Sequence, residues 1–351
     1  LSLQCGHAAV RRTFSPSAAD RDLTKPVGGK ASALLLATST GDLEGVKAAL
    51  AAIPKQREIQ DHSGRPKVDA AWSAGQTTAL MLASRQGNVA IVAELLRAGA
   101  DVGLQSRSQS TAVQMAAEEG YTDVVDVLIE HGAELDLPDD DGFTPLGAAC
   151  ENGHESATKA LLEASSDPNY ARRNGWTHLI TAAYNGYTSV VRALTVGGAE
   201  PDLAKDNGYN AVIAAAYNGF DEMVATLLSL GATADAAMTN GWNATMVACA
   251  QGHSKVVARL CEAGAAVDYV RPNNGFSALM AAASSAHGGT CVNILLQHRA
   301  NVDLKDKKGS TALMHAAWHG HEVAVEVLIQ SGCSSTIVRL GGVTALMDAA
   351  A

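Results

Sequence analysis

The chain has 351 residues, a formal net charge of −10 and only 4% aromatic residues. The excess of acid argues against broad electrostatic binding to nucleic acid or to an anionic membrane surface. No apolar run reaches the ~18 residues a membrane-crossing helix needs, so membrane insertion is not expected.

Residues 1–30 read as an N-terminal tail. The first 19 hold no acid and carry Arg11 and Arg12, and Arg12-Thr13-Phe14-Ser15-Pro16-Ser17 is similar to the end of an organellar import presequence. A plain disordered tail is the alternative. The chain begins without Met, so its natural start is not visible.

Residues 31–75 read as a degenerate first repeat with a loop insertion. Leu34-Leu35-Leu36, Gly41-Asp42 and Val46 to Leu50 carry the repeat. Ile53 to Gly75 is polar, with Pro54, Lys55, Arg57, Arg65, Pro66 and Lys67, and exceeds the period by about a dozen residues. An enlarged loop on the hairpin side is expected there.

From 76 to 351 one short phrase recurs every 33 or 34 residues. A capping residue opens an Ala-rich helix, a Gly ends it, and an aliphatic helix closes the unit. The caps are Thr78, Thr111, Thr144, Thr177, Asn210, Asn243, Ser277, Thr311 and Thr344. Each can satisfy an orphan backbone N–H at a helix start. Pro145 falls at a first helical position, where its missing N–H does no harm. Glycines such as Gly120, Gly153, Gly186, Gly219 and Gly252 are placed to end the first helix in a left-handed turn. Val191/Leu194, Val224/Leu227 and Val257/Leu260 keep the i, i+3 spacing of one helix face. Asn-Gly pairs at 174–175, 207–208, 240–241 and 274–275 suggest type I′ hairpins. A fixed period of this length implies an all-α repeat solenoid, about nine full units and a partial tenth. The sequence stops inside the first helix of that tenth unit, so either the chain continues or a partner covers this end. The stretch Ser284 to Gly289 distorts the turn of repeat eight.

These residues resemble the ankyrin repeat family over about residues 31–351. Thr144-Pro145-Leu146 with Gly153-His154 comes nearest to its signature. The family's usual Thr-Pro-Leu-His becomes Thr-Ala-Leu-Met at 78–81, 311–314 and 344–347, and Ser-Ala-Leu-Met at 277–280. An apolar filler therefore replaces a hydrogen-bonding His, which should loosen polar ties between neighbouring loops. The resemblance implies helix-turn-helix units with β-hairpin loops, and a concave face of hairpin tips and first helices that binds partners.

On that face two rows of aromatics stand out. The residue after the hairpin Gly is Phe143, Trp176, Tyr209, Trp242 and Phe276 in five successive repeats, and a second row holds Tyr184, Tyr217 and Trp318. Exposed, they would be anchor points for a partner. The competing reading packs the first row on the neighbouring hairpin. Tyr121, Tyr187 and Phe220, just after the helix-ending Gly, read as structural. Charge along the face is graded. Glu118, Glu119, Asp139, Asp140, Asp141 and Glu151 lie at one end, then Arg172 and Arg173, then neutral tips, then Lys307, Lys308 and His319. Such a gradient would orient an elongated ligand, with Glu151 and Arg173 among the contacts. Trp, Tyr and Glu side by side also suggest a cage for a cationic side chain.

Cys150, Cys249, Cys261 and Cys333 replace small or apolar core residues and read as thiols of a reducing compartment. That points to the cytoplasm, with mitochondrion or plastid as the alternative. His315, His319 and His321 have a spacing that could share a metal, but His321 is the family's ordinary Gly-His residue, no carboxylate sits between them as in His-Glu-x-x-His, no Cys lies nearby in sequence, and no metal or cofactor is expected. No phosphate-cradling loop or nucleophile arrangement appears. The expected function is a non-catalytic scaffold that binds a protein or peptide on the concave face. The alternatives are an accessory subunit of a large assembly and the regulatory arm of an enzyme whose catalytic domain lies elsewhere.

Overall fold

The computed structural model of the chain describes residues 30–53, 67–69 and 76–350. The presequence-like tail and almost all of the polar insertion lie outside these residues. Within the insertion only Lys67–Asp69 is described, as a 3-10 turn whose Asp69 carboxylate accepts the Asp101 N–H at 3.0 Å.

Nineteen α-helices follow one another among the described residues, in the order the repeat predicts. First and second helices alternate: α1 (Lys30–Ser39) and α2 (Leu43–Ala51), α3 (Ala79–Arg85) and α4 (Val89–Arg97), α5 (Ala112–Glu119) and α6 (Thr122–Glu130), α7 (Pro145–Asn152) and α8 (Glu155–Glu163). Then come α9 (His178–Asn185) and α10 (Thr188–Val196), α11 (Ala211–Asn218) and α12 (Asp221–Ser229), α13 (Ala244–Gln251) and α14 (Ser254–Glu262). Last are α15 (Ala278–Ala283) and α16 (Gly289–Gln297), α17 (Ala312–Trp318) and α18 (Glu322–Gln330), and a lone α19 (Ala345–Ala349).

The chain forms two compact units, Leu1–Ala148 and Ala149–Ala351. In the first, α1 packs on α2 and α3, α3 on α4 and α5, and α5 on α6. In the second, the first helices α9 to α19 stack on one another and the second helices α8 to α18 form a parallel layer. Small residues permit this close stacking. Ala214, Ala215 and Ala216 on α11 are fully buried, as are the facing pairs Val191/Leu194, Val224/Leu227 and Val257/Leu260.

All nine caps act as the sequence implies. The side chain of each accepts the backbone N–H three residues on, at 3.0–3.5 Å. Gly153, Gly186 and Gly219 end their helices with φ of +79°, +83° and +77°. They also lie beneath the next repeat. A Cβ on Gly153 would come 2.7 Å from the Tyr187 ring, and one on Gly186 would come 3.1 Å from Phe220. Tyr187 and Phe220 thus sit against glycines one repeat back. Between second helices and the loops beyond, a carboxylate of one repeat holds a backbone amide of the next. Asp202 accepts from Thr233 N at 2.8 Å, Asp235 from Ala266 N at 3.0 Å, Asp268 from Asn301 N at 2.8 Å and Asp303 from Ser334 N at 2.9 Å.

The hairpins differ from expectation. In the Arg172 hairpin the Arg172 N–H donates to the Trp176 carbonyl and the Gly175 N–H to the Arg172 carbonyl. Gly175 has φ +77°, and Asn174 is not among the residues of positive φ. A type I′ turn needs positive φ at two central residues, so this is a three-residue loop with a left-handed Gly. The Asn has another task. Asn174, Asn207, Asn240 and Asn274 each accept, at 3.1 Å, the N–H of the aromatic residue two positions on.

Met at the family's His position is an apolar filler at three of the four expected sites, where Met81, Met280 and Met314 are buried, whereas Met347 on α19 is 57% exposed. Gln114, which occupies that position in its repeat, keeps the polar tie. Its Nε2 donates to Asp139 Oδ2 at 2.8 Å and to the Phe143 carbonyl at 3.0 Å. On α19, Leu346 is 81% exposed, although its register mate Leu313 on α17 is buried. No second helix follows α19 among the described residues.

Candidate functional site

The first aromatic row is internal. Phe143, Trp176, Tyr209, Trp242 and Phe276 are each no more than 8% exposed. This corrects the expectation of an exposed row. For Trp176 and Trp242 the reason is the hairpin of the following repeat, invisible in any one repeat's sequence, which sets Lys205 and Tyr209 against the one ring and Arg271 and Phe276 against the other. Trp176 packs edge-on against Tyr184 at 5.4 Å and against Tyr209 at 5.9 Å. Trp242 meets Phe276 at 6.2 Å, and Phe276 meets His315 edge-on at 5.2 Å.

The ring faces are covered by the chain's own cations. Arg172 lies 5.7 Å and Lys205 5.2 Å from the centre of the Trp176 ring. Lys205 also lies 5.9 Å from Tyr209, and Arg271 lies 5.3 Å from Trp242. A cage that captures a foreign cation at Trp176 or Trp242 would have to displace these residues. The sequence reading placed Arg172 on the face but missed that it, Lys205 and Arg271 occupy one repeat position, the residue that opens the hairpin.

The second row is open. Tyr184 and Tyr217 are half-buried, and Trp318 is 57% exposed with Arg339 5.9 Å from its ring centre. Glu151 is half-buried and Arg173 exposed. Side chains reaching back one repeat hold the backbone of this row. Asn185 Nδ2 donates to the Glu151 carbonyl at 3.2 Å, Asn218 Nδ2 to the Tyr184 carbonyl at 3.1 Å, and His253 Nε2 to the Tyr217 carbonyl at 3.0 Å. Asp139, counted with the acidic end, is instead buried. It accepts the N–H groups of Asp141 and Phe143 at 3.0 and 2.8 Å and braces its own hairpin.

The three histidines face different partners. His315 lies 3.5 Å from Asp306, and His321 Nε2 lies 3.2 Å from the Ser284 carbonyl. The His319 and His321 rings stack at 5.7 Å. Among the described residues no group of three or more His, Cys, Asp or Glu is placed to share a metal ion. Cys150, Cys249, Cys261 and Cys291 are buried and Cys333 half-buried. Burial pushes the Cys150 thiol up to about 12 and the Cys261 thiol to about 11, so both are protonated at neutral pH. Among the described residues no helix is long and apolar enough to cross a membrane.

Stacked helix pairs, capped in register and joined by hairpins that close on the next repeat, define a helical repeat protein. Ankyrin repeat models match residues 80–172, 156–238, 230–306 and 283–351, and the chain belongs to the ankyrin repeat family. The ankyrin repeat domain of human ASB11 is similar in structure, with a TM-score of 0.57 and 26% identity. The match covers 63% of this chain and 98% of that domain. Ankyrin repeats are generally protein–protein interaction modules.

Proposed function

We propose that the chain is a non-catalytic module that binds a protein partner on the hairpin and first-helix side of residues 149–351. Tyr184, Tyr217 and Trp318 supply the contact rings, with Glu151 and Arg173 beside them. One observation carries this reading. The three rings share one repeat position and reach solvent, whereas the first row lies buried and supports the hairpins from below. Aromatic side chains fixed from behind and open in front are the usual anchors of protein interfaces. Affinity purification of the endogenous protein with mass spectrometry supplies the partners. A Tyr184→Ala/Tyr217→Ala variant of unchanged fold should lose them, and retention would place the interface elsewhere.

A second reading, an accessory subunit built into a larger assembly, is favoured by one feature. Val323 and Ile329 on α18 are 63% and 56% exposed, and exposed apolar side chains can mark interaction surfaces. Stoichiometric co-purification of a fixed set of subunits would support it. Varied, substoichiometric partners would support the recruiting module.

A further inference from the structure

The charges of residues 149–351 are sorted by side. The six hairpins, at 170–177, 204–210, 237–243, 270–277, 305–311 and 338–344, carry eight Lys or Arg against two Asp. The rest of the unit carries five Lys or Arg against fifteen Asp or Glu. The first helices between them, α9, α11, α13, α15 and α17, hold no Asp, Glu, Lys or Arg. A cationic strip therefore runs along one side of a unit that is otherwise acidic.

Arg339 pairs with the buried Asp348 carboxylate at 2.7 Å, but four other cations of the strip are not spent on internal ion pairs. Among the described residues, Arg173, Arg271, Lys307 and Lys308 have no carboxylate within ion-pair distance. Arg271 donates Nε and Nη2 to the Asn240 carbonyl at 3.0 and 2.8 Å, and Lys307 donates Nζ to the Pro272 carbonyl at 2.8 Å. Asp306, one of the two hairpin acids, is turned into its own loop, where it accepts the N–H groups of Lys308 and Ser310 at 2.8 Å. The buried rings thus serve as a rack. They hold the half-buried charged ends of Lys205 and Arg271 in place, 5.2 and 5.3 Å from the ring centres of Trp176 and Trp242.

We infer that this strip docks an extended acidic segment of a partner protein. The inference rests on the proposed partner-binding side and names the chemistry it selects. It reverses the cation-capturing cage, because the rings already hold cations. Stacked helices about 10 Å apart set the spacing of the hairpins. A chain in the extended polyproline II conformation advances about 9 Å in three residues and returns every third side chain to the same face, so acids at every third position meet successive hairpins. The acidic remainder of the unit repels a long polyanion such as nucleic acid, whereas a short acidic stretch can stay within the strip.

The test uses the full chain and a fluorescein-labelled peptide of about 15 residues with Glu at every third position, long enough to span the hairpins from Arg173 to Lys308. Fluorescence anisotropy should show binding that weakens about tenfold between about 50 and 200 mM salt. Arg173→Glu/Lys308→Glu should weaken it by a further tenfold or more. Lys159→Glu/Lys255→Glu, an equal charge change on the second helices, should leave it within about twofold. Thermal melts confirm that both variants fold. Four outcomes would overturn the inference: no binding of the Glu peptide, tighter binding of its Lys counterpart, tighter binding of an oligonucleotide of equal charge, or equal loss in both variants. If native partners depend on Tyr184 and Tyr217 but survive Arg173→Glu/Lys308→Glu, the acidic ligand is wrong and the surface stands. If they survive both, the surface itself is wrong.

Discussion

The Lys205 ammonium lies 5.2 Å from the centre of the Trp176 ring, a contact made across the junction between two repeats. The ring is 6% exposed, so its apolar area belongs to the fold. Trp176→Ala should destabilise the protein by about 3–5 kcal/mol, as removal of a large buried aromatic does. Trp318→Ala, at a ring open to solvent, should change stability by less than about 1 kcal/mol. Urea titration followed by circular dichroism separates the two. Equal, small effects would mean that the first row is not a packing element.

The hairpin asparagines allow a finer comparison. Asn240 Oδ1 accepts the Trp242 N–H at 3.1 Å. Asn240→Ala removes that acceptor and should lower stability by about 1 kcal/mol. Asn240→Asp keeps an acceptor in place and should lie close to the parent. A melting series that ranks Asp below Ala would contradict this role.

His178 is buried on α9, and its ring stacks on Tyr170 at 5.9 Å. Burial, the largest cause, pushes its imidazole down to about 4, from an ordinary value of about 6.5. Between those values the unfolded chain binds a proton that the folded chain refuses. This contribution to stability is therefore complete above about pH 6.5 and is lost as pH falls toward about 4, by about 1.4 kcal/mol per unit. His178→Ala places there the residue found at the same repeat position as Ala211, Ala244, Ala278 and Ala312. It should flatten the acid limb of the stability curve, and an unchanged slope would refute the assignment.

Two glycines with the same backbone but different surroundings separate conformation from packing. Gly264 has φ +84° and nothing within 4 Å of an added Cβ. Gly264→Ala should cost about 1 kcal/mol, for the left-handed conformation alone. Gly153 has φ +79°, and an added Cβ would meet the Tyr187 ring at 2.7 Å. Gly153→Ala should cost more, by at least about 1 kcal/mol. Pairing it with Tyr187→Ala should recover part of the difference. Additive effects in that cycle would show that ring and glycine do not interact.

What was legible in the sequence was local. Thr177, Asn210 and Ser277 cap because an oxygen three residues before a free N–H is sufficient, and a single repeat displays that spacing. Gly186 and Gly219 likewise mark helix ends through backbone geometry that their own neighbours dictate. The state of Trp176 and Trp242 was not legible, because it depends on the hairpin of the following repeat. An aromatic residue after a hairpin Gly is consistent with an exposed anchor until that hairpin is placed. Lys205 and Arg271 escaped notice for the same reason, since neither has an aromatic neighbour in sequence that would reveal the Trp one repeat back. The Asn-Gly pairs misled in another way. The dipeptide is common to two loop types, and only the backbone angle of Asn174 distinguishes them.

The carboxylate-to-amide contacts from Asp202, Asp235, Asp268 and Asp303 join each repeat to the next. They lie in series along the chain rather than in parallel. Under tension a load would fall on one junction at a time, shared there between the carboxylate contact and the buried helix packing, and each rupture would free a single repeat of about 33 residues. Stretched out, that segment reaches roughly 110–120 Å. Residues 149–351 are thus built to lengthen in even steps under force, as a spring that yields coil by coil.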